Sequence, residues 1–209
     1  MGEKREQFMR ANSRDLILQA ALQLFSKQGY DGTSIDDIRR AAGFKSKASL
    51  YTHFTSKEEV ATALLHQIQE NQQGFIGRAA IPAGDDPLQR LIVIARAFIE
   101  WGMTYPQEYA FTFLRIQQEI LVRGEATYME LPSSQVFVNL LQLVRAQGYP
   151  MRRTPDVALM SMAIGLISRA VIDRLSFGSL SQEEIVQQVL EACFGVIFAE
   201  PVALPTIST

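Results

Sequence analysis

Apolar residues recur along most of this chain at intervals of three and four, the spacing that puts them on one face of a helix. Asn12-Ser13-Arg14-Asp15 reads as a helix start, Leu16, Ile17, Ala20, Ala21, Leu24 and Phe25 as its buried face, and Gly29 as its end. Ser34-Ile35-Asp36-Asp37 has the form of a capping box, which predicts a second helix with Ile35, Ile38, Ala41 and Ala42 facing inward. Gly43 stops that helix, and Ser46 caps a third whose Ala48, Leu50, Tyr51 and Phe54 are expected to hold it to the second. Ser56-Lys57-Glu58-Glu59 is another capping box and opens a fourth helix, through Val60, Ala63, Leu64 and Ile68 to about Gln73. Two short helices joined by a tight turn predict a helix-turn-helix.

The same periodicity continues beyond a linker, AAIPAGDDP at residues 79–87. Asp86, Pro87 and Gln89 start a helix with Leu88, Leu91, Ile92, Ala95, Phe98 and Ile99 on one side, as far as Tyr105-Pro106. Further helices are predicted over 107–123 (Tyr109, Phe113, Ile116, Ile120) and 133–147 (Val136, Leu140, Leu143, Val144), with GEATYMELPSS between them as loop. Two long apolar helices follow. One runs from Pro155 to about Phe177; the other opens at the capping box Ser181-Gln182-Glu183-Glu184 and carries Ile185, Val189, Leu190, Phe194, Ile197 and Phe198. Both are apolar on more than one face, which requires burial on more than one side. A second copy of the chain would provide it; a buried hairpin within a monomer is the alternative. The fold class is therefore all-α, about nine helices in total. An N-terminal helix-turn-helix domain occupies 1–57 (1–11 a mobile arm), and a helical domain occupies 58–209 (201–209 a mobile tail).

Chemistry enters at the third helix. Ser46, Lys47, Ser49, Thr52 and His53 are short or cationic hydrogen-bonders flanked by Lys45 and Lys57, and nothing acidic falls between Asp37 and Glu58. Small residues permit close approach, hydroxyls and amines meet phosphates or base edges, and carboxylates are excluded, which is what a major groove demands. A solvated face of a small bundle has the same appearance. Charge favours the first reading. The net charge of −2 conceals +4 over residues 1–57 (five Lys and five Arg against six acids) and −6 over 58–209 (ten Arg against sixteen acids).

The string from Thr33 to Glu58 resembles the DNA-binding segment of TetR-family transcriptional regulators. The resemblance lies in Thr33, Ile38, Ala42-Gly43, Ser46, Leu50-Tyr51, His53-Phe54 and Ser56-Lys57-Glu58, and is strongest over about residues 12–65. Three departures stand out: Phe44 replaces a small aliphatic, Arg39 sits where Ala is common, and Lys45 adds one residue to the turn. The resemblance implies a dimer that puts Ser46 to Phe54 of each copy into the major groove of a pseudo-palindromic operator. Lys47 and Ser49 are then candidates for base contact, and Arg14, Thr33, Ser34, Lys45, Tyr51, Thr52, His53 and Lys57 for phosphates. It also implies a fourth helix linking the DNA-binding part to a regulatory part, and pairing of the last two long helices into a four-helix bundle. Ile164, Arg169, Ile172, Leu190, Phe194 and Ile197 are the expected interface.

Function in the second domain is less legible. Phe98, Trp101, Tyr105, Tyr109, Phe113, Phe137 and Met160 suit an apolar ligand cavity, and equally suit a plain helical core. The family resemblance favours a cavity for a small-molecule effector; Arg115 and Glu119, or Arg169, are candidates for the polar contacts that would orient it. His53 and His66 lack partners at metal-ligand spacing, and no phosphate loop or nucleophile motif is present, so neither an enzyme nor a cofactor is expected. Cys193, the one cysteine, reads as a core hydrophobe and excludes an internal disulfide. No signal peptide or membrane span is apparent, so a cytoplasmic location is expected. Two rivals from other classes remain: a ligand-independent DNA-organising or partner-binding protein on this fold, and an all-α enzyme or carrier that has lost DNA binding.

Overall fold

The computed structural model describes residues 2–123 and 132–204, with side chains over 13–118 and 134–204. Among them the chain forms nine α-helices and no strand: α1 (Gly2–Gln28), α2 (Ile35–Ala41), α3 (Lys47–Tyr51), α4 (Lys57–Ala80), α5 (Pro87–Thr104), α6 (Pro106–Arg123), α7 (Pro132–Ala146), α8 (Asp156–Ile172) and α9 (Gln182–Ile197). They make two compact units, Met1–Glu70 and Asn71–Thr209, divided inside α4. The division expected from the sequence lies at 57/58. The first turns of α4 belong to the first unit because Val60, Ala61, Leu64 and Ile68 are buried there. Of the loop expected over 124–134, residues 132–134 instead open α7, while 124–131, the Ile120 side chain and the tail from 205 lie outside the described residues.

In the first unit, α1 begins at Gly2 rather than at Asn12. Residues 3–11 are mostly strong helix formers without proline, so Asn12 and Ser13 lie within the helix and the expected arm is helical backbone. The buried face of α1 is Ile17, Leu18, Ala20, Ala21 and Phe25, the expected stripe except that Leu18 takes the place of Leu16, which is exposed, and Leu24 is half-buried. Ile38 of α2, Leu50 of α3 and Phe54 are buried with them, and α1 packs against α2. Ala41 and Ala48, both expected inside, are exposed.

Capping follows the sequence closely in α2. Ser34 accepts from the Asp37 N–H at 3.1 Å, while Asp37 accepts from the Ser34 N–H at 2.9 Å. At the other end Gly43 takes φ +79°. Its N–H bonds the Arg40 carbonyl and the Phe44 N–H bonds the Arg39 carbonyl, the paired closure that a left-handed residue after a helix allows. At the start of α4 the pattern changes. Ser56 accepts from the Glu59 N–H, but the Glu59 carboxylate turns to the N–H and hydroxyl of Thr55, both at 2.6 Å.

In the second unit, α5 packs against α6, α7, α8 and α9, and α8 lies along α9. Asp86 caps α5 as expected, accepting from the Gln89 N–H at 3.2 Å. The linker expected over 79–87 is shorter: α4 continues to Ala80 and a 3-10 turn covers Ile81–Ala83, since no proline precedes Pro82. Helix α7 is rotated from the expected face, with Val138, Leu140, Leu141 and Val144 buried and Val136 and Leu143 exposed. Helix α8 ends at Ile172, not near Phe177, because Asp173 leaves helical geometry and a 3-10 turn follows to Gly178. The α9 capping box forms as read, Ser181 with Glu184. After α9, Met151 and Phe198 pair as an isolated antiparallel bridge.

Two measurements follow from this packing. A Cβ on Gly102 would lie 2.8 Å from Tyr109 Cδ2 and 2.9 Å from Val171 Cγ2. Gly→Ala inside a helix ordinarily gains about 1 kcal/mol; here Gly102→Ala should cost about 1–3 kcal/mol in chemical unfolding, and a gain would mean that the contact yields. The second concerns Asp37, whose carboxyl is held down to about 2 from its ordinary 3.8 by the Ser34 hydroxyl first, then the Ser34 N–H and the Arg40 guanidinium. A lowered carboxyl stabilises the fold above its ordinary value and loses that effect as pH falls through the folded one. The melting-temperature difference between wild type and Asp37→Asn should therefore be constant above about pH 5 and shrink as pH approaches 2.

Candidate functional site

Helix α3 has five residues and two unlike sides. Leu50 is buried, as is Phe54 just beyond the helix, whereas Lys47, Ala48, Tyr51 and Thr52 are exposed. Ser46 caps the helix by accepting from the Ser49 N–H at 3.2 Å, with the two hydroxyls 2.6 Å apart. The exposed side thus presents Lys45, Lys47, Tyr51 and the methyl of Ala48, with no carboxylate among residues 38–57. Ala48 was assigned to the core; in so short a helix it shares the side of Lys47, Tyr51 and Thr52, and its small size lowers the surface there.

Phosphates only accept hydrogen bonds, so the question for each expected contact is whether it has a proton to give. Thr33 does not: it is 2% exposed, and its hydroxyl donates to the Gly29 carbonyl at 2.7 Å. Its side chain braces the loop between α1 and α2. The Ser34 hydroxyl donates to Asp37 Oδ2 at 2.5 Å, and the Thr52 hydroxyl to the Ser49 carbonyl at 2.8 Å. His53 is half-buried, its ring edge-on to Phe44 at 6.1 Å. Lys57 donates to the Tyr30 carbonyl at 2.8 Å and lies 4.1 Å from the centre of the Tyr30 ring, while the Tyr30 hydroxyl donates to Glu58. Arg14 is exposed, with its guanidinium carbon 5.4 Å from the centre of the Phe54 ring. Among the described residues no hydrogen bond or ion pair engages Lys45 or Lys47.

The electrostatics reinforce this pattern. Asp36, the nearest carboxylate upstream, is held below its usual range by the Arg39 guanidinium first, and also by the charges of Lys47 and Arg40. It forms an ion pair with Arg39 at 2.9 Å and a longer one with Arg40 at 3.7 Å. A carboxylate neutralised in this way repels an approaching polyanion less. Arg39 is the residue of this region that the sequence reading registered only as a departure, because its role depends on the shape of the turn.

In the second unit most of the expected aromatic set comes together. Tyr109 contacts Phe98, Trp101 and Phe113 at ring separations of 5.8, 6.0 and 6.5 Å, and Trp101 contacts Tyr105 at 6.2 Å. Met160 and Trp101 are fully buried, Phe137 and Arg115 half-buried. The Tyr109 hydroxyl donates to Ser168 at 2.8 Å, and Ser168 donates onward to the Ile164 carbonyl. Burial pushes the Tyr109 phenol well above its ordinary range and the Cys193 thiol up to about 12, so both stay neutral. The Thr112 hydroxyl, next to Phe113, is buried with no hydrogen-bond partner among the described residues. A surface concavity lined by Asp86, Gln147, Gly148, Tyr149 and Pro150 involves none of the aromatic set.

The expected interface residues separate into two groups. Leu190, Phe194 and Ile197 are buried inside the chain, so they are core of this unit and not surface. Periodicity identified α9 as apolar on a wide arc but could not say which part of the arc α5 and α8 would cover. On α8, Ile172 and Arg169 are exposed, together with Met162, Gly165 and Leu166, and Ile164 is half-buried. These exposed residues recur at helical spacing as one stripe. Gly195 of α9 is exposed as well, and a Cβ on Gly165 or Gly195 would meet nothing within 4 Å.

No helix among the described residues is long and apolar enough to cross a membrane, and no group of His, Cys, Asp or Glu among them could hold a metal ion. Residues 17–64 match the family model of bacterial regulatory proteins, tetR family. The biofilm operon icaADBC HTH-type negative transcriptional regulator IcaR of Staphylococcus epidermidis is 51% identical over 47 residues, 22% of this chain. The chain spans only 25% of that relative's length. A Shewanella sp. PV-4 structure assigned to the tetR family superposes with a TM-score of 0.72 at 22% identity, covering 90% of this chain and 99% of that one. The ketosteroid transcriptional regulator KstR2 of Mycobacterium tuberculosis superposes with a TM-score of 0.65 at 25% identity, covering 90% of this chain and 95% of that one. Residues 17–64 thus carry the match to the tetR family of bacterial regulatory proteins, and the fold of the chain is that of the tetR-family structures on which it superposes.

Proposed function

We propose that this chain is a dimeric transcriptional repressor that a small, largely apolar molecule releases from a pseudo-palindromic DNA operator. The observation that carries the DNA part is the exposed side of α3, where Lys45, Lys47 and Tyr51 stand without a competing carboxylate. Hydroxyls at Thr33, Ser34 and Thr52 already donate within the chain, so the donors left for phosphates and bases are chiefly the two lysines and Tyr51. Lys47 and Ser49 are the base-reading candidates. Repression is the role that the name of the staphylococcal relative suggests.

The dimer contact belongs to the exposed stripe of α8, Met162, Gly165, Leu166, Arg169 and Ile172, with Gly195 of α9. Helix-interior glycines that no neighbour in the chain requires cost about 1 kcal/mol each. Close approach of a second helix gives them a reason. Two copies would set their α3 helices on half-sites about 34–36 Å apart. The effector would bind among Phe98, Trp101, Tyr105, Tyr109, Phe113, Arg115, Phe137 and Met160, its polar group meeting the unpaired Thr112 hydroxyl. Release follows when the effector favours a state with misplaced reading heads, and α4, which runs from one unit into the other, is the connecting element. The ring contacts around Tyr109 also suit a filled core, and so favour a ligand-independent DNA-binding protein as the second reading. A screen in which no apolar ligand changes operator affinity would select it.

Selection of binding sites from random duplexes, followed by that screen, tests the whole reading. Lys47→Ala should weaken operator binding by about 1–3 kcal/mol and relax preference at one base pair; an equal loss on all duplexes would make Lys47 a phosphate contact. Leu166→Glu should convert the dimer to a folded monomer in sedimentation and lower operator affinity at least about tenfold. A dimer that persists in Leu166→Glu would rule out this face.

A further inference from the structure

Phe44 is held at both of its backbone polar groups by one residue. Its N–H donates to the Arg39 carbonyl at 3.0 Å, and its own carbonyl accepts from Arg39 Nη1. The Arg39 guanidinium is fixed in turn by Asp36, whose Oδ1 lies 2.9 Å from Nε, and the arginine side chain is only 16% exposed. Asp36 stands in the first turn of α2, so this single arginine ties the beginning of α2 to the far side of the turn. Beyond Phe44 the chain has Lys45, without a side-chain hydrogen bond among the described residues, and then the Ser46 cap of α3. The Phe44 ring meanwhile rests edge-on against His53, just past the other end of α3.

The chain leaves α2 through Gly43 and enters α3 through Ser46, so the orientation of the Phe44 peptide sets the direction in which α3 departs. We propose that Arg39 is a positioning residue for sequence recognition: by clamping Phe44 it fixes the angle between α2 and α3, and hence which bases Lys47 and its neighbours reach, without touching DNA itself. This rests on the reading of α3 as the DNA-contacting helix. The clamp needs a planar group with several donors, one spent on Asp36 and one on the Phe44 carbonyl. A lysine ammonium on a flexible stem keeps the charge but does not hold both acceptors in one plane. Arg39→Lys therefore separates positioning from charge. If Arg39 were only one more cation near the backbone of DNA, the lysine variant would behave as wild type.

The experiment compares full-length wild type, Arg39→Lys and Arg39→Ala on the duplex selected by wild type and on a scrambled duplex at one salt concentration. Amide exchange is followed over residues 44–49. Both variants should lose at least about tenfold in the ratio of selected to scrambled affinity, with scrambled-duplex affinity held within about threefold. Exchange over 44–49 should quicken at least about tenfold while the α1 core from Ile17 to Phe25 is unchanged. An Arg39→Lys protein that keeps the wild-type ratio and wild-type exchange overturns the proposal, and it decides the matter if Arg39→Ala fails to fold. Wild type with no preference among duplexes would instead refute the DNA reading. The clamp is then judged by exchange alone, where unchanged protection in Arg39→Lys overturns it.

Discussion

Helix α3 is five residues long, and a helix that short has no stability of its own in water, since nucleation costs more than so few hydrogen bonds return. Its shape is therefore imposed from outside. Buried Leu50, with Phe54 just beyond the helix, anchors its inner side, and α3 packs against α2. Ser46 satisfies its first turn, and the Phe44 clamp fixes the point from which it departs. Every side chain offered outward by α3 inherits its position from these three restraints. The larger helices of the first unit serve to hold a surface of about half a dozen residues in a defined orientation.

That constraint explains why the domain commits so many polar groups internally. Thr33, Ser34, Asp36, Asp37, Arg39, Thr55 and Glu59 form hydrogen bonds that cap helices or tie loops, and they leave the exposed side of α3 chemically simple. Two lysines and a tyrosine on a low, carboxylate-free surface favour a polyanion without demanding a particular one. Preference for a sequence must then come from placement, which makes the rigidity of the turn as consequential as the identity of the exposed residues.

Much of this was legible in the sequence because caps and glycines are local. The boxes at Ser34 and Ser181, the Asp86 cap and the stops at Gly29, Gly43 and Gly148 need only a few neighbouring residues to specify them, and all of them form. Which face of a helix turns inward is a tertiary matter, and there periodicity misled. Leu16 and Leu18 exchanged places, Ala48 moved to the surface, and Leu190, Phe194 and Ile197 proved to be core where an interface was expected. An apolar arc wider than one face can be covered by the chain itself or by a partner, and only the packing of α5 and α8 against α9 decides which. The hydrogen bonds of Arg39 were equally invisible, since they depend on a turn conformation that no residue pattern encodes.

In the second unit the aromatic residues around Tyr109 cluster as expected, and the Thr112 hydroxyl is buried without a hydrogen-bond partner among the described residues. Gly165 of α8 and Gly195 of α9 are exposed, with nothing in the chain within 4 Å of where a Cβ would stand. Both features acquire a purpose if the α3 surface reads DNA, so that claim bears the weight. The most direct test is the salt dependence of full-length protein binding to its selected duplex and to a scrambled one. A DNA-reading α3 surface predicts a marked preference for the selected site, two chains per duplex, and affinity that falls steeply and linearly in log–log form as salt rises. Equal affinity for both duplexes, or binding indifferent to salt, would contradict it.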